Sequence, residues 1–381
     1  MWAFVPAAGG VLAHWGADVI KVENPHAPDP MRLLGGTLEP GAASDQFKHY
    51  SRGKRSIAVD LSKDEGREII YRLAEQADVF LTSYLPGTRK KLKVDVEDIR
   101  ARNPHIIYAR GSGQGPLGPD ADRGGYDFAS WWFRGSLGYS AMEWCGVDTP
   151  PMMVGHGDGM AGMTLAGGIA AALFKRARTG ETSVVDGSLL STAIWFNNLE
   201  VMASKRAGPR AAPPRSVTNG IYQTKDGRFI LLLMLGDPDD QWVDLCEHIG
   251  RPDLADDPRF ATAAGRVANR DEGAAEVSAA FAERDFDEWK KILATLRGVW
   301  APHQAPSELV DDVQVQANGF LREVEYPTGS LAMAVPAMQF DEEAGDPPRA
   351  PDFAAHTDEV LTELGTPGDE IAWLRASGVV F

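Results

Sequence analysis

Apolar and polar positions alternate along the first half of the chain in blocks of two kinds. Short aliphatic runs, Val19-Ile20-Lys21-Val22, Ser56-Ile57-Ala58-Val59, Val79-Phe80-Leu81 and Ile106-Ile107-Tyr108-Ala109, read as strands. Between them lie segments with helical spacing: residues 5–15, stopped by Gly16; residues 62–77, opened by a Ser62/Glu65 capping box; and residues 96–103. Apolar strands separated by amphipathic helices predict an α/β fold, a parallel sheet covered on both faces. The longest apolar run, residues 160–174, is built from Gly, Ala, Leu, Ile and Met and ends at Lys175-Arg176. It predicts a buried helix, too short to span a bilayer, with Asp158 at its start and basic residues at its end, as the helix dipole favours.

The pattern changes near residue 205. Gly208-Pro209-Arg210-Ala211-Ala212-Pro213-Pro214-Arg215 is a linker signal. A hairpin follows, residues 221–224 and 228–234 around a Lys225-Asp226-Gly227 turn, and then helical segments at 241–249, 272–283 and 287–296. Residues 324–352 alternate short strands with Pro- and Gly-rich turns. A last helix, with Thr357 as its cap, is expected to return to the first domain.

With 381 residues the chain is long enough for two domains. A net charge of −16 argues against a nucleic-acid partner but leaves room for a small anionic ligand held by a local basic patch. The two cysteines, Cys145 and Cys246, match no metal or redox spacing, and the eight histidines do not cluster. No basic leading segment of a signal peptide is seen, so a reducing cytoplasm is the expected setting.

Several familiar motifs fail. Gly113-Gln114-Gly115-Pro116-Leu117-Gly118 fits GxGxxG and follows a strand, but Pro116 and Pro119 do not open a helix, and a glycine-rich loop is expected there instead. There is no Walker A segment and no GxSxG elbow. Basic residues gather at Arg32, at Arg52, Lys54 and Arg55, and at Arg89, Lys90, Lys91 and Lys93, all beside strand ends. They suit either a phosphate-bearing ligand or solvated helix faces. Tyr84 suits either a base-stacking position or a turn. The stretch Tyr126-Asp127-Phe128-Ala129-Ser130-Trp131-Trp132-Phe133 suits an apolar pocket, a core or a subunit interface. Asp158, in His156-Gly157-Asp158-Gly159, is either a simple N-cap or a carboxylate aimed into a cleft, held by backbone N–H groups and expected to stay ionised at neutral pH.

These segments resemble the class III CoA-transferases, the family of the formyl-CoA and carnitine CoA-transferases. The likeness rests on Gly16-Ala17-Asp18-Val19-Ile20-Lys21-Val22-Glu23, Lys54-Arg55-Ser56-Ile57, Arg123-Gly124-Gly125-Tyr126-Asp127-Phe128, and Gly157-Asp158 before a Gly/Ala helix. Arg178-Thr179-Gly180-Glu181, Leu254-Ala255-Asp256-Asp257-Pro258-Arg259-Phe260 and His356-Thr357-Asp358-Glu359-Val360-Leu361 extend it over nearly the whole chain. The resemblance implies a large Rossmann-like domain made from residues 1–207 and 326–381, a linker and small domain at 208–325, and a homodimer of interlocked chains. It implies coenzyme A and acyl-CoA as substrates, with no permanently bound cofactor and no metal. By the same resemblance Asp158 is the nucleophile, and Arg32, Val59, Ser83, Tyr84, Leu85, Lys91, Gly124, Tyr126 and Asp127 handle the coenzyme. Lys91 stands where an arginine is frequent.

The implied chemistry passes CoA through an aspartyl anhydride and an aspartyl thioester, with backbone N–H groups near Gly159 as the expected oxyanion site. Three departures stand out. Relatives carry a further strand upstream of residue 5, so a misplaced start or a missing strand is expected. Ala3 stands near the place of a glutamine. Arg215-Ser216-Val217-Thr218-Asn219-Gly220 replaces a glycine run, which makes a small oxalate-like acid a poor fit. Trp131-Trp132-Phe133 and Met152-Met153 would suit a larger apolar acyl group. A 2-methylacyl-CoA racemase is the alternative on the same fold, although Tyr126 stands where racemases carry a histidine base. A non-catalytic acyl-CoA binder is the third reading.

Overall fold

The computed structural model describes residues 1–208, 216–236, 238–343 and 345–381. Pro209 to Arg215, most of the expected linker, and Arg215 of the segment replacing the glycine run lie outside the described residues. The chain divides into two compact units, Met1–Ala211 with Val313–Phe381, and Ala212–Asp312.

In the first unit the elements run α1 (Phe4–His14), β1 (Val19–Glu23), α2 (Asp45–Ser51), β2 (Lys54–Ala58), α3 (Asp64–Gln76), β3 (Val79–Thr82), α4 (Pro86–Leu92), α5 (Val96–Arg102) and β4 (Ile107–Ser112). A π-helical segment, Asp127–Arg134, then leads to α6 (Leu137–Cys145), α7 (His156–Thr179), β5 (Val184–Ser188), α8 (Leu189–Phe196) and α9 (Asn198–Ala207). The strands are parallel, as the alternation predicts, but they form two groups among the described residues: β1 with β2, and β3-β4-β5.

α7 is the axis of this unit. Its Ala161, Leu165, Ala166 and Ile169 pack with Phe4, Val5, Ala8 and Val11 of α1 and with Leu189 in one buried cluster. Gly162 allows the close approach: a Cβ there would lie 2.5 Å from that of Ala7. The helix is longer than its apolar run because polar residues extend both ends, and Gly180 closes it.

Two caps differ from expectation. Ser62 Oγ donates to Asp60 Oδ1 at 2.7 Å, so α3 starts later, at Asp64, without a capping box. Thr357 opens the helix Thr357–Glu363 but its hydroxyl donates to Ala354 O, and His356 is the cap residue. That helix does return to the first unit: Val360, Leu361, Leu374, Val379 and Val380 share a core with Ile57, Val59 and Ile69. The antiparallel hairpin Leu321–Tyr326 and Gly329–Ala334 also belongs there. The return therefore comes earlier than residue 326, since the chain from Val313 onward groups with the first unit, where Lys48 lies over the Tyr326 ring and Arg52 donates to Ala334 O.

The second unit holds a three-stranded antiparallel sheet, Asn219–Gln223, Phe229–Leu233 and Val299–Pro302. Helices Pro238–His248, Arg270–Phe281 and Phe286–Ile292 cover it with a core of Trp242, Phe260, Phe281 and Trp289. Cys145 and Cys246 are free thiols. No helix of the described residues is long and apolar enough to cross a membrane.

Candidate active site

The site is built around the first turn of α7. Gly155 precedes that turn with φ +75°, in the left-handed region where glycine carries no Cβ penalty. The cap comes from far away in sequence. Asp127 Oδ2 accepts from Gly155 N–H at 2.9 Å and its Oδ1 from Gly157 N–H at 3.0 Å. Gly157 must be glycine for this approach, since a Cβ would sit 2.3 Å from Asp127 Oδ1 and 2.3 Å from the Trp131 ring. The carboxylate that satisfies the helix terminus is thus Asp127, and Asp158 is not an N-cap.

Asp158, in the first turn, is half-buried and borders a cavity of about 190 Å³. Its other lining residues are Ala3, Met31, Gln46 and Tyr50 from the first fifty residues, and Tyr126, Asp127, Phe128, Val154 and Gly155 from the segments before α7. Tyr50 donates its hydroxyl to Gly155 O at 3.2 Å, and burial, with Asp158 and Asp127 adding to it, pushes its pKa up to about 12. It is therefore a protonated donor at any working pH.

The expectation of an ionised Asp158 is corrected. Burial is the largest influence, the charge of Asp127 adds to it, and a hydrogen bond from the Phe4 backbone N–H opposes both. The outcome is a pKa pushed up to about 7. A helix N-terminus favours a carboxylate by only about 0.3–1 kcal/mol, and here desolvation and a like charge win. Of the expected oxyanion donors near Gly159, the N–H of Gly159 itself is engaged inside the helix, on Gly155 O at 2.9 Å.

Of the residues expected at the coenzyme, Tyr126 and Asp127 line the cavity with Asp158. Asp127 does so as the helix cap, with both oxygens engaged. Gly124 is exposed in the loop just before them. Ser83, Tyr84 and Leu85 form the half-buried turn into α4, where Tyr84 packs against the core that includes Ile70, Ile99 and Tyr108. Lys91, with Lys90 and Lys93, is exposed on and just after α4. Gly87 N–H donates to Asp122 Oδ1 at 3.1 Å, which ties the start of α4 to the loop carrying Gly124.

Arg32 and Val59 are different. Arg32 is 1% exposed; its guanidinium is paired with Glu23 at 2.7 Å, donates to Pro351 O and lies 3.8 Å from the Phe47 ring centre. It fixes the loop after β1 and presents nothing to a phosphate. Val59 is buried in the core, and its N–H donates to Glu23 O.

The basic cluster at the start of β2 is structural as well. Lys54 Nζ donates to Pro6 O and Tyr50 O, and burial holds its pKa well below the usual lysine value. Arg55 bridges Asp18, Glu359 and Glu363. The glycine-rich segment after β4 is a loop, with Ser112 Oγ accepting from Gly115 N–H.

The aromatic stretch divides. Tyr126 and Phe128 face the cavity, whereas Trp131 and Trp132 are buried in a small core with Ala193. Neither of these tryptophans, nor Met152-Met153, borders the cavity. Met31, Gln46, Tyr50 and Val154 were not singled out from the sequence. Val154 lies just ahead of α7 in the chain, whereas Met31, Gln46 and Tyr50 come from distant segments with no local motif, and only the tertiary fold brings those three to Asp158.

The sequence model of CoA-transferase family III matches residues 1–357. The chain is 30% identical over 384 residues to an (R)-2-hydroxy-4-methylpentanoate CoA-transferase of Clostridioides difficile, covering 98% of this chain and 95% of that protein. It is 31% identical over 389 residues to the succinyl-CoA:glutarate CoA-transferase of Mus musculus, covering 98% and 86%. Among solved structures, a CAIB/BAIF family protein from Brucella suis superposes with a TM-score of 0.81 at 29% identity, covering 95% of this chain and 96% of that one.

Proposed function

Because the chain belongs to CoA-transferase family III, we propose that it moves coenzyme A between an acyl thioester and a free carboxylic acid through covalent intermediates on Asp158. The observation that carries this reading is the position of Asp158: a carboxylate in the first turn of α7, facing a cavity lined mainly by apolar and aromatic side chains, Tyr50 and Tyr126 among them.

The ionised Asp158 oxygen attacks the donor's thioester carbonyl. The C–S bond breaks, leaving an aspartyl–acyl anhydride and CoA thiolate. The thiolate attacks the aspartyl carbonyl, the anhydride C–O bond breaks, and the donor acid leaves from an aspartyl thioester. An acceptor carboxylate reverses the two steps, forming its own CoA thioester and freeing Asp158. One thioester replaces another, so no nucleotide is consumed. A carboxylate is a weak nucleophile, and fixing it beside the bound thioester supplies much of the acceleration. Tyr50, protonated and held on Gly155 O, is a second group at the reacting end.

Coenzyme contacts are assigned to the turn Ser83-Tyr84-Leu85, to Lys91 and to the segment from Gly124 to Tyr126. These are linked by the Gly87–Asp122 hydrogen bond. Coenzyme A is a substrate here, with no resident cofactor. The protein is assigned as a homodimer, supported by the exposed apolar residues Trp195, Phe196, Leu199 and Met202 on α8 and α9. Epimerisation is not favoured. His156 is exposed and two residues from Asp158, a spacing that turns the two side chains apart on a helix.

The test is Asp158→Asn. The variant is expected to fold and to lose CoA exchange by at least about a thousandfold, and hydroxylamine or borohydride with acyl-CoA should modify the wild-type peptide containing Asp158. Undiminished exchange by the variant, or an unmodified peptide during turnover, excludes the mechanism.

A further inference from the structure

From the walls of the cavity beside Asp158 we infer that the acyl group it accepts is uncharged and apolar, an aryl or branched-chain monocarboxylic acid, and that dicarboxylic acids are rejected. The inference rests on the CoA-transfer reading and adds the substrate class.

Met31, Tyr50, Tyr126, Phe128 and Val154 are five of its ten lining residues, Asp127 and Asp158 its two carboxylates, and Gln46 its one neutral amide. Among the described residues, no lysine, arginine or histidine lines it. Three basic side chains of the neighbouring elements are engaged elsewhere, and His156 is exposed and outside the lining. Lys21 pairs with Asp29 at 2.6 Å, Arg32 with Glu23, and Lys54 donates to the carbonyls of Pro6 and Tyr50.

A distal carboxylate seated against these walls would exchange part of its hydration for apolar contact with no lining counter-ion, and it would meet the charges of Asp127 and Asp158. An apolar tail meets neither cost and gains contact with thioether and aromatic surface. The volume, about 190 Å³, exceeds the roughly 150 Å³ of a cavity known to take up benzene.

The experiment is isotope self-exchange, which needs no knowledge of the natural donor. Carbon-13-labelled 3-phenylpropionate, 4-methylpentanoate, succinate and glutarate are each incubated with the full-length protein and their own unlabelled CoA thioester. Label entering the thioester is followed by mass spectrometry. The two apolar acids are expected to exchange with kcat/KM at least about tenfold above the two dicarboxylates. In Gln46→Arg, which adds a cation to the wall, that ratio should narrow by about tenfold.

Dicarboxylates exchanging as fast as the apolar acids would overturn the inference and leave the Asp158 reading intact. An unchanged ratio in Gln46→Arg would equally overturn it, because the acyl tail then lies elsewhere. Exchange with none of the four acids would sink the CoA-transfer reading and this inference together.

Discussion

Asp158 sits where opposing electrostatic effects meet, and their balance sets two pH dependences. With a pKa of about 7, roughly half the population carries the nucleophilic anion at neutral pH. The rate of anhydride formation should therefore climb as pH rises through about 7 and then level off, measurable as kcat/KM against pH. Stability should run the other way. An unfolded aspartate titrates near about 4, so between about 4 and 7 the folded chain keeps a proton that the unfolded chain has released. Stability falls as pH rises through that window. Asp158→Asn should remove this slope and be more stable than the parent at pH 8, on the order of 1–2 kcal/mol for a group partly screened by water, as read from denaturant midpoints. Asp127→Asn separates the cap from the charge. One of the two accepting oxygens becomes an NH2 group facing the N–H of Gly155 or Gly157, so about 1 kcal/mol of stability should be lost. With the like charge gone, the kcat/KM profile should shift toward acid; a profile that stays in place would deny Asp127 its influence on Asp158.

Within α7, the glycines differ in what surrounds them, and the difference is testable along a single helix. Gly162 faces α1, where an added methyl group would lie 2.5 Å from Ala7 Cβ and 3.0 Å from Phe4 O. Gly162→Ala should destabilise by about 1–3 kcal/mol and, by displacing Phe4, disturb the amide that opposes the upward pKa shift of Asp158. Gly167 is exposed and a Cβ there meets nothing within 4 Å. Gly167→Ala should stabilise by up to about 1 kcal/mol through helix propensity alone. Thermal melts of the two variants, moving in opposite directions, would check the packing of α1 on α7. Equal shifts would mean that α1 does not sit where the structure places it.

For the whole molecule, the decisive feature is the apolar surface carried by α8 and α9. Trp195 is 81% exposed and Leu199 74%. A surface of that kind on a lone chain invites association. Light scattering should give twice the mass of the chain, and Trp195→Glu with Leu199→Glu should reduce it to one chain or strongly weaken the assembly. A parent protein that runs as a single chain at micromolar concentration would remove the homodimer assignment.

Periodicity alone was enough to locate β1 to β4, the hairpin of the second unit, the long helix through residues 160–174 and the change of architecture near residue 205, but not β5 (Val184–Ser188) or the strand Val299–Pro302. These are local properties, written in the spacing of apolar side chains. The resemblance of Gly157-Asp158 and its neighbours to known transferases was likewise legible. What the order of residues could not reveal was which charges are free. Arg32, Lys54 and Arg55 look like ligand contacts in one dimension, but their partners, Glu23, Pro6 and Asp18 with Glu359 and Glu363, meet them only in the folded chain. The same holds for Asp127 capping a helix that begins twenty-nine residues later, at His156, and for Tyr50 and Met31 reaching the cavity. Burial and like-charge proximity act through space, so the protonation of Asp158 and the apolar character of its surroundings were decided by tertiary structure.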